Sequence, residues 1–220
     1  MAQQPIYLIK EERIAWLYID RPDKKNALNR DMWQMLAELV IQAEHDPEVK
    51  ILILRSAAEN IFCAGADIGE FDLFINDREA RDQNRKSIRA ACQTLEDCTK
   101  PTIAMINGAC VGGGCILALC CDIRYGDSTS RYGITPAKLG LVYGLSDIRR
   151  LLDLVGSAQT SDILFSGRII SAGKALQIGL INDVFPTDEL ENRVRDYVHP
   201  LLNNSPHSLR EIKQFIRRIE

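Results

Sequence analysis

The segment "GACVGGGCILALCCD", residues 108–122, sets three consecutive glycines before an apolar run that stops at an aspartate. Glycine inside an element costs about 0.5–1 kcal/mol relative to alanine, so three together need a physical reason. With the apolar "PTIAMI" (101–106) ahead of them, they read as a strand-to-helix turn. Such a turn leaves backbone N–H groups unpaired at the positive end of a helix, a place suited to negative charge. Three uses compete. The turn could hold the pyrophosphate of a dinucleotide, with Asp127, 19 residues after Gly108, on a ribose. It could aim N–H groups at a carbonyl oxygen that gains charge during a reaction. It could merely let the helix pack close to a strand. The spacing G-x-x-x-G-G-G departs from G-x-G-x-x-G, and the helix is short for a crossover, which speaks against the nucleotide.

A second segment carries the same chemistry. "NIFCAGADIGE", residues 60–70, also follows a strand pattern (Val49–Arg55) and presents Ala64-Gly65-Ala66 ahead of an acid. One such loop is a weak signal. Two of them, separated by an amphipathic helical pattern, can each give one N–H to a single oxygen, which favours the oxyanion hole. The chain has no Ser-His-Asp constellation and no G-x-S-x-G elbow.

Other chemistries find little support. The seven cysteines (Cys63, Cys92, Cys98, Cys110, Cys115, Cys120 and Cys121) form no C-x-x-C pair, and His45, His199 and His207 lie far from them in sequence. A zinc site needs closely spaced ligands, so no metal is expected. The cysteines read as reduced, buried, small apolar residues of a cytoplasmic protein. A formal net charge of −3 leaves no footprint for nucleic acid or an anionic membrane. The N-terminal "MAQQPIYLIKEERI" lacks the apolar core of a signal peptide, and the longest uncharged apolar run, Ala109–Cys121, is too short to span a bilayer.

The elements that must position the two loops follow from periodicity. β-Branched runs predict strands at Ile14–Asp20, Val49–Arg55, Pro101–Ile106 and Leu180–Val184. Asn29 can cap a helix carrying Met32, Leu36, Leu39, Val40 and Ala43 on one face. Ile88, Ala91, Cys92 and Leu95 repeat that spacing up to Lys100-Pro101. Helical patterns then dominate at Ile148–Val155, Ala158–Phe165, Ala172–Ile178, Asp188–Leu202 and Leu209–Ile219. The chain therefore reads as an α/β core over residues 1–145 and a helical part over 146–220, with no linker between them. The last helix, "SLREIKQFIRRIE", places Arg210, Lys213, Arg217 and Arg218 on a side expected to be wet. Asp122 ends its helix at the unfavourable pole, so a structural hydrogen-bond partner is expected.

Five motifs in order, "IDRPDKKNALN", "FCAGADI", "INGACVGGGCILALCCDIRYG", "KLGL" and "LFSGRIISAGKALQIGLINDVF", resemble the enoyl-CoA hydratase/isomerase (crotonase) superfamily from about residue 8 to the end. The resemblance implies a crotonase-like spiral of ββα turns with trailing helices, assembled as a homotrimer or homohexamer. It also implies an acyl-CoA thioester substrate, with coenzyme A arriving as part of that substrate and no permanently bound cofactor. Ala66 and Gly113 match the family's two oxyanion donors. A thioester oxygen must then reach the Gly113 N–H, which explains a residue without a side chain. The family's CoA-binding segments match Lys24, Lys25, Asn26 and Ala27, together with Ala64, Asp67 and Ile68. For Lys24 and Lys25 a solvated turn is the competing reading. Family members continue through further C-terminal helices over the acyl pocket, so the resemblance implies that this chain was cut or lacks that tail.

The departures are as informative. Hydratases of the family hold water between two glutamates, and the matching positions here are Ile116 and Pro136. Where some relatives carry a catalytic aspartate, this chain has Gly144. General acid–base catalysis contributes about 10²–10⁴-fold, so slow hydration is expected. Decarboxylation of a malonyl-type CoA thioester needs the oxyanion hole but no protein base, because the departing CO₂ leaves its electrons behind. An apolar wall such as Ile116 favours loss of the charged carboxylate. The stretch "YGITPAKLGLVYG" resembles methylmalonyl-CoA decarboxylases, whose site threonine and tyrosine match Thr135 and Tyr143. Ile116 departs from that group, which keeps an acid there. The competing readings are a turn residue for Thr135 and a packing aromatic for Tyr143. Glu70 and Asp147 are either substitute acids or solvated charges. The function expected is enolate chemistry on an acyl-CoA, decarboxylation ahead of hydration or isomerisation. A CoA-thioester binding protein without chemistry is the alternative.

Overall fold

The computed structural model describes residues 4–70 and 77–219. Among these, one sheet has the order β1 (Ile6–Glu11), β2 (Ile14–Ile19), β3 (Ile51–Ser56), β5 (Thr102–Ile106), β7 (Ile123–Asp127) and β10 (Asp183–Phe185). A second sheet has the order β4 (Ile61–Cys63), β6 (Ala109–Val111), β8 (Arg131–Gly133) and β9 (Ile170–Ser171). Pairing is parallel except for β1 on β2 and β8 on β9. Each successive pair, β3 then β4, β5 then β6, β7 then β8, lays one strand in each sheet. That advance is the spiral of ββα turns, and the helical C-terminal part follows it.

The strands of the larger sheet are apolar on both sides because both faces are covered. Leu52 and Leu54 enter the main core, while Ile51 and Ile53 enter a second one. The main core receives Met32, Trp33, Leu36 and Val40 from α1 (Arg30–His45), and Cys92 and Leu95 from α2 (Arg78–Asp97). It also receives Cys115–Leu119 from α3 (Gly113–Leu119). The second core is closed by Leu190, Val194 and Val198 of α6 (Leu190–Asn203). Asn29 caps α1 as expected, its side-chain oxygen accepting from Met32 N at 2.9 Å.

Some expectations need correction. Residues 180–182 form a turn, and only Asp183–Phe185 reaches the sheet. The two helices expected over 148–165 run as one, α4 (Leu145–Ser166), broken at Gly156, whose φ of 74° and ψ of 169° are not helical. After α5 (Ala172–Gln177) and α6, the terminal helix α7 (Pro206–Ile219) does not present Lys213 to water. That side chain is buried, its Nζ 2.6 Å from Asp122 Oδ2 and 2.8 Å from the Lys100 carbonyl. Ile212, Phe215, Ile216 and Ile219 are exposed instead. Asp122 does have structural partners, accepting also from Thr102 N (2.7 Å) and Thr102 Oγ1 (2.9 Å). Among the described residues no helix is long and apolar enough to cross a membrane.

Candidate active site

Parallel register brings the two loops together. Cys63 pairs with Cys110, and Val111 with Gly133, so β4, β6 and β8 end along one edge of the small sheet. The segments leaving them, 64–67, 112–116 and 134–139, therefore meet. The 21–28 segment locks the first of these in place. Ala64 N donates to Lys25 O (3.1 Å), Leu28 N to Gly65 O (2.8 Å) and Asp67 N to Leu28 O (2.9 Å). Asn26 is wholly buried beneath, its amide donating to Ser56 Oγ (2.7 Å) and Phe62 O (3.1 Å) while its oxygen accepts from Arg21 N (2.8 Å). Its positive φ of 53° is a conformation asparagine tolerates better than most residues. Lys24 and Lys25 stay exposed on this turn, and Ala27 is buried. Asp67 pairs with Arg21 at 2.7 Å, and Ile68 is 62% exposed at the rim.

The three glycines have three different reasons. Gly112 takes φ 59° and ψ −127°, a backbone conformation closed to ordinary side chains. A Cβ on Gly114 would lie 2.3 Å from the Cys63 carbonyl oxygen, so close approach of β4 forbids it. Gly113 is different. A Cβ there would meet Ala66 N and Gly65 Cα at 3.4 Å and Trp33 Cζ2 at 3.6 Å, distances the protein itself accommodates. What it would fill is the space in front of Ala66 N. Neither Ala66 N–H nor Gly113 N–H donates to a protein acceptor among the described residues, and both residues are only half-buried. Two free N–H groups thus face one opening, on loops so close that a Cβ at Gly65 would stand 2.5 Å from Gly113 N.

The dipole of α3 points its positive end at this opening. Arg124, buried at the other end, donates from Nη1 to Cys121 O (2.6 Å) and from Nε to Leu180 O (2.9 Å), which places a cation at the negative pole. Cys63, buried just before the 64–67 loop, ties it to the 21–28 segment: its sulfur donates to Asn26 O (3.1 Å) and accepts from Gly65 N (3.3 Å). All seven cysteines are free and buried. No group of three or more metal-ligating side chains gathers among the described residues.

Of the other residues singled out in the sequence, Tyr143 comes nearest the opening. Its hydroxyl lies 3.6 Å from where a Cβ on Gly112 would be, and burial pushes its pKa above the ordinary phenol value, so it remains a donor. Ile116 is 3% exposed in α3. Thr135 precedes the 3₁₀ turn 136–139, which Pro136 opens, and its hydroxyl caps nothing. Gly144 is exposed at the start of α4. Glu70 accepts from Arg30 N at 3.1 Å, and its carboxyl is pushed up by burial. Asp127 is wholly buried and accepts from Gly108 N (3.3 Å) and Thr129 Oγ1 (3.0 Å), so it braces the turn and is no ribose ligand.

The sequence profile described as enoyl-CoA hydratase/isomerase matches residues 10–219. The chain belongs to the enoyl-CoA hydratase/isomerase family. It is 36% identical over 210 residues to the crotonyl-CoA hydratase of Syntrophomonas wolfei, covering 96% of this chain and 80% of the relative. It is 36% identical over 215 residues to the short-chain-enoyl-CoA hydratase of Clostridium acetobutylicum, covering 97% and 81%. In structure it is similar to an enoyl-CoA hydratase/carnithine racemase from Magnetospirillum magneticum, with a TM-score of 0.94 at 34% identity over 99% of this chain and 82% of the other. The ββα spiral is thus that of the family.

One residue that touches both the 21–28 segment and Gly113 gives no signal in the sequence. Trp33 Nε1 donates to Leu28 O at 3.1 Å, the same carbonyl that accepts from Asp67 N, while its ring supports Gly113. It ties Gly113 to the 21–28 segment that holds the 64–67 loop, yet on α1 it looks like any apolar core position. Trp33→Phe removes the bond and leaves room for the loops to shift. We expect a loss of about 1 kcal/mol of stability and a drop in kcat of about tenfold, since small misplacements at a reacting centre are costly. Steady-state kinetics beside urea denaturation checks this; an unchanged kcat would show that the indole only fills space.

Proposed function

We propose that this family member decarboxylates a malonyl-type CoA thioester through an enolate held by Ala66 N–H and Gly113 N–H. The observation that supports the reading is the neutral phenol of Tyr143, its hydroxyl 3.6 Å from where a Cβ on Gly112 would stand; the resemblance matches Ile116 and Pro136, neither an acid, to the hydratase glutamates. The substrate carboxylate must be turned out of the thioester plane so that the breaking C–C bond overlaps the carbonyl. Hydroxyls of Tyr143 and Thr135 can orient it without neutralising it. A lysine there would stabilise the ground state more than the transition state and gain no rate. Bond cleavage then releases CO₂, and its electron pair passes to the thioester oxygen in the hole. Lys24, Lys25, Ala27, Ala64, Asp67 and Ile68 would hold the CoA portion, with exposed lysine ammoniums available for phosphate and the carbonyls of the 64–67 loop for the pantetheine amides.

Incubating the protein with malonyl-, methylmalonyl- and crotonyl-CoA and following products by mass tests this directly. Tyr143→Phe is expected to lower kcat on the malonyl-type thioester by about tenfold, the worth of one good hydrogen bond, with binding of simple acyl-CoAs unchanged. Thr135→Val should act in the same direction more weakly. Wild-type rates in both variants would reduce the two residues to packing groups. A second reading, hydration with another acid, is favoured by the names of the two bacterial relatives. Crotonyl-CoA hydration with kcat on the order of 10 s⁻¹ would establish it.

A further inference from the structure

An enolate formed in this hole must end by taking a proton at carbon, and neither Ile116 nor Pro136 can supply one. Among the described residues, three carboxylates stand on the segments around the opening: Asp67, Glu70 and Asp147. Asp67 is occupied on both oxygens, by Arg21 Nη1 at 2.7 Å and by Gly69 N at 2.9 Å. Glu70 is turned to the start of α1, where its Oε2 accepts from Arg30 N.

Asp147 is placed differently. In the first turn of α4, its Oδ1 accepts from Arg150 Nη1 at 2.8 Å. Its Oδ2 instead faces Gly144, 3.6 Å from where a Cβ on that residue would stand. Gly144 is exposed and directly follows Tyr143, whose hydroxyl reaches over Gly112. Phenol and carboxylate are thus electrostatic neighbours at the head of α4, and beside Gly144 the carboxyl meets only that residue's backbone N–H, with no side chain there to cover it.

The surroundings of Asp147 let it exchange a proton. The Arg150 guanidinium is also held by Glu96 of α2, through Nε at 2.9 Å and Nη2 at 2.5 Å. One largely buried cation thus faces two carboxylates, so protonating one of the acids relieves repulsion without leaving the cation unpaired. Burial raises the Asp147 carboxyl pKa above its ordinary value, with Arg150 pulling the other way. Tyr143 is a further titratable group beside it among the described residues.

Resting on the enolate reading of the site, we propose that Asp147 is its acid–base group. In the forward direction the Asp147 carboxyl O–H breaks as the α-carbon–H bond forms. The enolate electron pair makes that bond, the thioester C=O re-forms, and the carboxylate left behind stays paired with Arg150 until water returns the proton.

The reverse of this step can be read without any decarboxylation. In D₂O, a saturated thioester such as propionyl-CoA should exchange its α-protons for deuterium on the wild-type protein, followed by NMR. Asp147→Asn, which keeps shape and leaves Glu96 on Arg150, should slow exchange by about a hundredfold with propionyl-CoA affinity unchanged. Asp147→Glu should recover part of it. Wild-type exchange in Asp147→Asn, loss of exchange in Glu70→Gln instead, or no exchange on the wild type would each overturn the assignment. Failure of the decarboxylation reading is distinct: it appears as no CO₂ from malonyl-type thioesters, whatever propionyl-CoA does.

Discussion

Gly113→Pro is expected to lower kcat on any active thioester by about 10²–10³-fold, the cost of one lost oxyanion donor, in a chain that still folds. Position 113 is the first residue of α3, where the N–H has no helical partner and proline is tolerated. Gly112 before it already has a backbone that glycine alone supplies, so the new ring meets no preceding side chain. The ring would add a Cβ about where Ala66 N is exposed, so the second donor is obstructed as well. Gly113→Ala separates these effects, since it keeps the N–H and only fills the gap. Rates for both variants, with circular dichroism to confirm folding, decide the matter. A folded Gly113→Pro protein with full activity would remove the two-donor hole from the mechanism.

Asp122→Ala should cost about 3 kcal/mol of stability, at the low end for breaking a buried pair because the carboxylate is partly exposed. The substitution strands Lys213 among the Lys100 carbonyl and Thr102, with no anion against it. It also removes the acceptor for Thr102 N and Thr102 Oγ1 at the head of β5, and a 3.4 Å partner of Arg217. Urea denaturation measures the loss. Asp122→Ala combined with Lys213→Met should recover much of it, because a buried pair replaced by apolar groups of similar size is often neutral. If the double variant is no more stable than the single one, the ion pair is not what fastens α7.

The site is more legible in the sequence than the fold around it. Gly112–Gly114 and Ala64–Ala66 stand out because a run of such small residues suits little besides close approach to the backbone. Ile61–Cys63 and Ala109–Val111 do not stand out, since three residues are too few to show a period of two. The cap at Asn29 is local, so its neighbours in the chain suffice to place it. The burial of Lys213 is not local. It depends on Asp122 in the turn between α3 and β7, far back in the chain, and an isolated amphipathic helix has no reason to bury its cation. Arg150 and Glu96 likewise meet across 54 positions, so the shared guanidinium beside Asp147 exists only in the folded chain.

Cys63 is wholly buried just before the 64–67 loop, with its sulfur held between Asn26 O and Gly65 N. A thiolate at that place would attack any thioester bound at that loop, release free CoA and keep the acyl group as an S-acyl protein. Burial pushes the Cys63 thiol up to about 12, so at neutral pH it stays protonated and presents no nucleophile. The packing that brings the two donor loops together therefore also makes the protein a poor acyl acceptor. Slow alkylation of Cys63 by thiol reagents in the folded state is the outward sign of that restraint.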